Sequence, residues 1–160
     1  MNTIHYSLKK IISTLTQKSQ TISFAESCTG GRIASKFTAI SGASQVLNGS
    51  CITYSNQIKQ QWLGVKHSTL ENFGAVSEAC VLEMLTGIQT MANSDYAIAV
   101  SGIAGPSGGT EFKPVGTVYI GILTPLDKEV YHCLFEGTRE EIQDLATEFA
   151  IKKLEEKINF

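Results

Sequence analysis

A chain of 160 residues with 42% hydrophobic content fits one domain, 1–160, with a core of its own, because a domain of this length buries roughly 70% of its unfolded surface. A formal net charge of −2 supplies no broad positive field, which argues against nucleic acid as a partner. Four cysteines (28, 51, 80, 133) without C-x-x-C spacing and three dispersed histidines (5, 67, 132) give no pattern for a metal, and with no apolar run of membrane-spanning length and no signal-peptide pattern the expected compartment is cytoplasmic with reduced thiols.

Tyr6, Leu8, Ile11, Ile12 and Leu15 recur at helical spacing, and the polar stretch Thr16 to Gln20 ends that first helix. Residues 21–26 read as a buried strand. From Gly31 to Ile40 the apolar positions 33, 34, 37 and 40 form one helical face, broken by Ser41-Gly42-Ala43-Ser44. Val46 to Tyr54 resumes as a strand, and its interior glycine predicts a bulge or a close backbone contact. Asn56 is the expected N-cap of a helix over Gln57 to Leu63, with Gly64 as its stop. A short helix over 68–73, capped near Ser68 or Thr69, precedes a longer one capped by Ser77, in which Val81, Met84, Leu85, Ile88 and Met91 share a face.

Tyr96 to Val100 is a continuous apolar run, as expected of a strand covered on both faces. Val115 to Leu123 and Val130 to Phe135 read as two more strands, made antiparallel by the short link between them. Thr138 to Ile158, with Ile142, Leu145, Phe149, Ile151 and Leu154, closes the chain as a helix. Five strands interleaved with helices predict an α/β fold: a three-layer α/β/α sandwich with a mixed, mostly parallel sheet of about five strands. If the first three strands are parallel, the loops that follow them share the edge where such sheets bind ligands.

Those three loops carry the chemistry. Glu26-Ser27-Cys28 ends the first strand and Thr29, Gly30 and Gly31 lead into a helix, so two candidate nucleophiles sit where N–H groups can meet a ligand; the competing role is capping by Ser27 or Thr29. Tyr54 to Lys59 follow the second strand. After the third comes Ser101-Gly102-Ile103-Ala104-Gly105, continued by Pro106-Ser107-Gly108-Gly109. No Gly-Lys-Ser/Thr follows, so it is not a Walker loop; its glycines can cradle an anion in a nest of N–H groups or form an ordinary turn. Lys113 and Arg139 can add to that field or remain solvated.

Three stretches, AESCTGGRIAS (25–35), ITYSNQIKQQWLGV (52–65) with GAVSEACVLEM (74–84), and AVSGIAGPSGGTEFKPVGTVYIGI (99–122), closely resemble the CinA C-terminal domain family, the nicotinamide-nucleotide amidases, in its stand-alone form. The resemblance runs from about Tyr6 to the last helix. It implies deamidation of nicotinamide mononucleotide to nicotinate mononucleotide and ammonia, a step of pyridine nucleotide salvage, with a small nucleotide as substrate, no metal or organic cofactor, and a homo-oligomeric assembly. By similarity Ser27 is the nucleophile, Lys59 its general base and Tyr54 the residue that orients or relays protons. Thr29, Gly30 and Gly31, together with Ser101, Gly102, Ala104 and Gly105, would contribute ligand and oxyanion contacts, and Arg139 matches the arginine of the family's glycine-x-arginine segment. Gln143 stands where the family commonly carries a second arginine, and Ser107 and Phe112 replace residues that are usually acidic.

The residues are chemically compatible with those roles. An amide carbonyl needs an activated nucleophile, and without a serine–histidine–aspartate pattern lysine is the available base. Lys59 serves only when neutral. A first-turn position disfavours its ammonium, as would burial beside Tyr54; the alternative is a solvated lysine. A pyridinium ring opens the carboxamide carbon to attack, and backbone N–H groups can hold the oxyanion. Glu26 either favours that cation or accepts from nearby N–H groups. Cys28 rivals Ser27, since a thiolate is the better nucleophile and a helix N-terminus lowers a thiol pKa; only one of the two neighbours can face the pocket, and similarity assigns it to Ser27. Cys51, Cys80 and Cys133 read as core residues. A catalytically silent nucleotide-binding module, or an interaction protein related by fold alone, would share the same sequence pattern.

Overall fold

The computed structural model describes residues 2–158. Among them the chain forms α1 (Thr3–Gln17), β1 (Ile22–Glu26), α2 (Arg32–Thr38), β2 (Leu47–Ile52), α3 (Asn56–Leu63), α4 (His67–Phe73), α5 (Glu78–Ala92), β3 (Tyr96–Gly102), β4 (Thr117–Leu123), β5 (Lys128–Leu134) and α6 (Arg139–Ile158). The strands lie in the order β2-β1-β3-β4-β5. β1 pairs in parallel with both β2 and β3, while β3-β4 and β4-β5 are antiparallel. This is the mixed five-stranded α/β/α sandwich that the sequence predicts.

Alternation along the strands sorts side chains by size. Ile22, Phe24, Tyr96, Ile98, Val100, Ile120 and Ile122 pack with α1, α2 and α6 on one face. On the other, Ala25, Ala97 and Ala99 meet α3 and α5. Small residues let α5 lie close to the sheet. At Gly121 the approach is so tight that a Cβ would come within 2.7 Å of both Leu85 Cδ1 and Val81 Cγ1, so only glycine fits.

Several local boundaries differ from the sequence reading. Tyr6 is 59% exposed; the buried stripe of α1 is Ile4, Ser7, Leu8, Ile11, Ile12 and Leu15. Met91 and Leu145 likewise end on the solvent side of their helices. A short 3₁₀ turn occupies Ala43–Gln45. β2 ends at Ile52, not Tyr54, because the carbonyls beyond it turn toward a side chain. The register of β1 on β2 slips between Ile22 and Ser23, leaving Asn48 as the bulged residue beside Gly49; the bulge is present, whereas no atom crowds Gly49. Ser55, not Asn56, caps α3, accepting from Ile58 N–H at 3.1 Å. α4 begins at His67 after Lys66, with no side-chain cap from Ser68 or Thr69.

The two crossovers fix where a ligand can enter. α2 leaves β1 toward one face, and α3 leaves the neighbouring β2 toward the other. Chain departing in opposite directions from adjacent parallel strands opens a crevice between their carboxyl ends.

Candidate active site

Register brings the first two loops together. Glu26 pairs with Ile52, and Thr53 N–H donates to Glu26 O at 2.9 Å, so Ser27 and Thr53 leave the sheet side by side. Ser27 N–H donates to Val100 O of β3 at 3.0 Å. From one turn into α3, Lys59 reaches back: its Nζ lies 3.1 Å from Ser27 Oγ, 2.8 Å from Thr53 O and 3.0 Å from Tyr54 O. Lys59 is 1% exposed and Ser27 7%.

Desolvation pushes the Lys59 amine below the ordinary lysine value. Its hydrogen-bond partners are a hydroxyl and two carbonyls, with no carboxylate among them. The Tyr54 ring does not supply this burial, since Tyr54 is 59% exposed. Tyr54 meets Lys59 through its carbonyl, while its hydroxyl accepts from Arg139 Nη2 at 2.9 Å.

Cys28 is buried at 4% exposure, and its thiol is pushed up to about 12. Loss of water outweighs the opposing pull of its own backbone N–H, Lys59 and Arg139. The expected lowering by the helix N-terminus therefore does not prevail, and Cys28 is a core thiol. Burial also raises Cys80 and Cys133, each to about 11.

Glu26 takes the second of its two roles. Its carboxylate, 0% exposed, accepts from Thr29 Oγ1 at 2.6 Å, Ile33 N–H at 3.0 Å and Ala34 N–H at 3.1 Å. It thus satisfies the orphan donors at the start of α2. The fully buried Thr29 hydroxyl is engaged there too. Gly30 and Gly31 follow with φ of +59° and +98°.

Ser101 and Gly102 finish β3, and Ala104 is buried at 5% exposure. Gly105 has φ +80°, and a Cβ there would run into Val115. Its carbonyl accepts from Arg139 Nη1 at 2.7 Å. Arg139 begins α6, whose start is fixed by a reciprocal capping box: Thr138 N–H donates to Glu141 Oε2 and Glu141 N–H to Thr138 Oγ1, each at 3.2 Å. Lys113 is engaged elsewhere, donating to Phe73 O at the end of α4.

Two contributors have little or no signature in the sequence. The Thr53 carbonyl is a main-chain group. Gln143 stands out in sequence only as a departure from a family pattern; in the structure its Nε2 donates to Cys28 O at 2.9 Å. A hollow of about 670 Å³ between α3 and α5, lined by Trp62, Leu82 and Met91, lies apart from Ser27. Two of its charged side chains are engaged: Glu83 accepts from Lys66 N–H and Thr69 Oγ1, and Lys128 donates to Thr86 Oγ1. The buried Ser27–Lys59 pair, by contrast, lies at the strand ends.

Known proteins share this fold. A family model, the CinA C-terminal domain, matches residues 5–158. A CinA-like protein from Endomicrobium trichonymphae is 48% identical over 144 residues, which cover 90% of this chain and 34% of that protein. A CinA-like protein from Fervidobacterium nodosum is 49% identical over 88% of this chain and 34% of its own length. The chain thus spans about a third of the length of these curated relatives. Among solved structures, the competence/damage inducible protein CihA from Agrobacterium tumefaciens superposes with a TM-score of 0.95 at 35% identity, covering 100% of this chain and 98% of that one. A CinA superfamily protein from Klebsiella pneumoniae gives 0.93 at 36% identity, covering 98% of each chain. No described helix is long and apolar enough to cross a membrane.

Proposed function

The chain belongs to the CinA C-terminal domain family, and from that premise we propose that it is an amidohydrolase deamidating nicotinamide mononucleotide to nicotinate mononucleotide and ammonia at the Ser27–Lys59 pair. The observation that carries this reading is the set of partners around Lys59 Nζ. As a neutral amine, Lys59 donates its two N–H groups to the Thr53 and Tyr54 carbonyls, 2.8 and 3.0 Å away, and keeps its lone pair for the Ser27 hydroxyl at 3.1 Å. A solvated surface lysine would have no such arrangement.

Ser27 Oγ attacks the carboxamide carbon as its proton passes to Lys59 Nζ. N–H groups of Cys28 and Thr29, which have no backbone acceptor among the described residues, are the nearest candidates to hold the oxyanion. When the C–N bond breaks, the Lys59 ammonium returns the proton to the leaving nitrogen, releasing ammonia and leaving an ester on Ser27. Water then attacks the ester, Lys59 takes one of its protons and returns it to Ser27 as the acid departs, and the acid loses its remaining proton to solvent to become the carboxylate. Arg139, with guanidinium donors beyond the two engaged by Gly105 and Tyr54, suits the substrate phosphate.

Incubating the purified protein with nicotinamide mononucleotide and measuring ammonia tests the reading. Release is expected from the wild type and from Cys28→Ala, and none from Ser27→Ala. Saturable binding without ammonia selects a silent nucleotide-binding module instead. Release that survives Ser27→Ala but is lost in Cys28→Ala overturns the nucleophile.

A further inference from the structure

We propose that Gln143 is a positioning residue for the Ser27 nucleophile, acting through the Cys28–Thr29 peptide; this rests on the reading of Ser27 as the nucleophile. Gln143 is 9% exposed, on a stretch of α6 whose buried neighbours include Ile142, Ala146 and Ala150. An amide in such surroundings opposes burial unless it is bonded, and a methionine would fill the same space. The bond it makes is specific: Nε2 to Cys28 O at 2.9 Å, across 115 residues of sequence. Thr147 Oγ1 donates to the main-chain carbonyl of Gln143 at 2.8 Å, a local helix bond that leaves the side-chain amide to Cys28.

The turn that carries Ser27 needs such an anchor. Ser27 N–H is tied to Val100 O, Ser27 O accepts from Gly30 N–H at 3.0 Å and Thr29 Oγ1 is held by Glu26, so the Cys28–Thr29 peptide plane is the part of the turn left to Gln143, just ahead of two glycines at φ +59° and +98°, residues that permit many conformations. In a trans peptide the carbonyl and the following N–H point in opposite directions. Holding Cys28 O toward α6 therefore aims Thr29 N–H away from that helix and fixes the plane next to the nucleophile. Arg139, one helical turn earlier, meets the loops after β2 and β3 through Tyr54 and Gly105. The first turns of α6 thus hold all three loops at the strand ends.

The rate at which phenylmethylsulfonyl fluoride labels Ser27, read by mass spectrometry on the full chain, reports the nucleophile without any substrate. Gln143→Met keeps the length and loses the donor; Gln143→Arg keeps an N–H donor at that reach. Gln143→Met is expected to slow labelling about 10- to 100-fold, the scale of a small misplacement, with an unchanged pH midpoint because the partners of Lys59 are untouched. Its melting temperature stays close to that of the wild type, and Gln143→Arg retains most of the rate. With nicotinamide mononucleotide, kcat falls and KM holds. Labelling of Gln143→Met at the wild-type rate, or equal slowing in both variants, overturns the proposal. A wild type that labels at Ser27 but releases no ammonia removes the substrate assignment and leaves the labelling comparison decisive for Gln143; a wild type that never labels at Ser27 removes both.

Discussion

The guanidinium of Arg139 donates to the Tyr54 hydroxyl at 2.9 Å, joining residues 85 positions apart. The same group donates to Gly105 O at 2.7 Å, so one cation spans the loop after β2 and the glycine loop. It does so from the first position of a helix, where the dipole disfavours positive charge, so its two bonds to the loops offset a local cost.

Lysine lacks the planar fork that serves two acceptors at once. Arg139→Lys and Arg139→Ala are therefore expected to raise KM for the phosphorylated substrate about 10- to 100-fold, the worth of a charged hydrogen bond. Tyr54→Phe should lower kcat/KM only about two- to tenfold, because the main-chain carbonyl that orients Lys59 survives the change. Steady-state kinetics separate the cases. A Tyr54→Phe variant as inert as Ser27→Ala would assign the tyrosine hydroxyl to proton transfer.

The proposed mechanism uses the free amine, and desolvation lowers its pKa, so kcat/KM should rise with pH as Lys59 loses its proton and level off below the ordinary value of 10.5. Arginine does not deprotonate in proteins, so Lys59→Arg should lose about 10²- to 10⁴-fold. A pH–rate profile that is flat through this range would remove Lys59 as the base.

The same residue links stability to pH. Between the lowered folded value and 10.5 for the unfolded lysine, the unfolded chain binds more protons, so stability rises with pH. Below both values the buried charge opposes folding in full, and above both the opposition is gone. The unfolding free energy of the wild type relative to Lys59→Met should accordingly improve as the pH rises toward 10.5, as denaturant titrations would read. A pH-independent difference would mean that the amine is as hydrated in the fold as out of it.

With its thiol pushed up to about 12, Cys28 is protonated at neutral pH and inaccessible. Iodoacetamide at about pH 8 should leave it unmodified in the native protein, since only the thiolate reacts. Rapid alkylation at Cys28, mapped by peptide mass, would contradict its placement in the core.

Replacing Glu26 by Gln removes an anionic acceptor from three donors at the start of α2. The expected cost is about 1–3 kcal/mol of stability, measured by chemical denaturation. KM for a cationic substrate should not change, because the carboxylate is fully buried. A KM effect without a stability effect would place the carboxylate in contact with the ligand.

What the sequence made legible was whatever side chains announce. The apolar run at Tyr96–Val100, the turn at Ser27 and the long helix after Ser77 all stand where periodicity and capping residues put them. The closing helix begins within a residue of Thr138, where the sequence puts it. Less could be read where the main chain acts. Ser55 and Asn56 are equally good caps by residue type, and only the extended backbone at Ser55, ψ 156°, decides between them. The end of β2 was two residues too late because the pull of Lys59 on the Thr53 and Tyr54 carbonyls leaves no trace in those residues' identities. Tyr6 lies outside the buried stripe because it sits two residues from both Ile4 and Leu8, a spacing that places it on the opposite side of the helix.

The grip of α6 on three separate loops gives the order of synthesis a meaning. The sheet and its first loops emerge from the ribosome well before residues 139–158, and until that helix docks, neither Gly105 nor Cys28 has its external tether. A nascent chain can hold a nearly finished scaffold and still lack an assembled cleft, so the geometry around Ser27 is completed by the last helix described rather than by the loop that carries the serine.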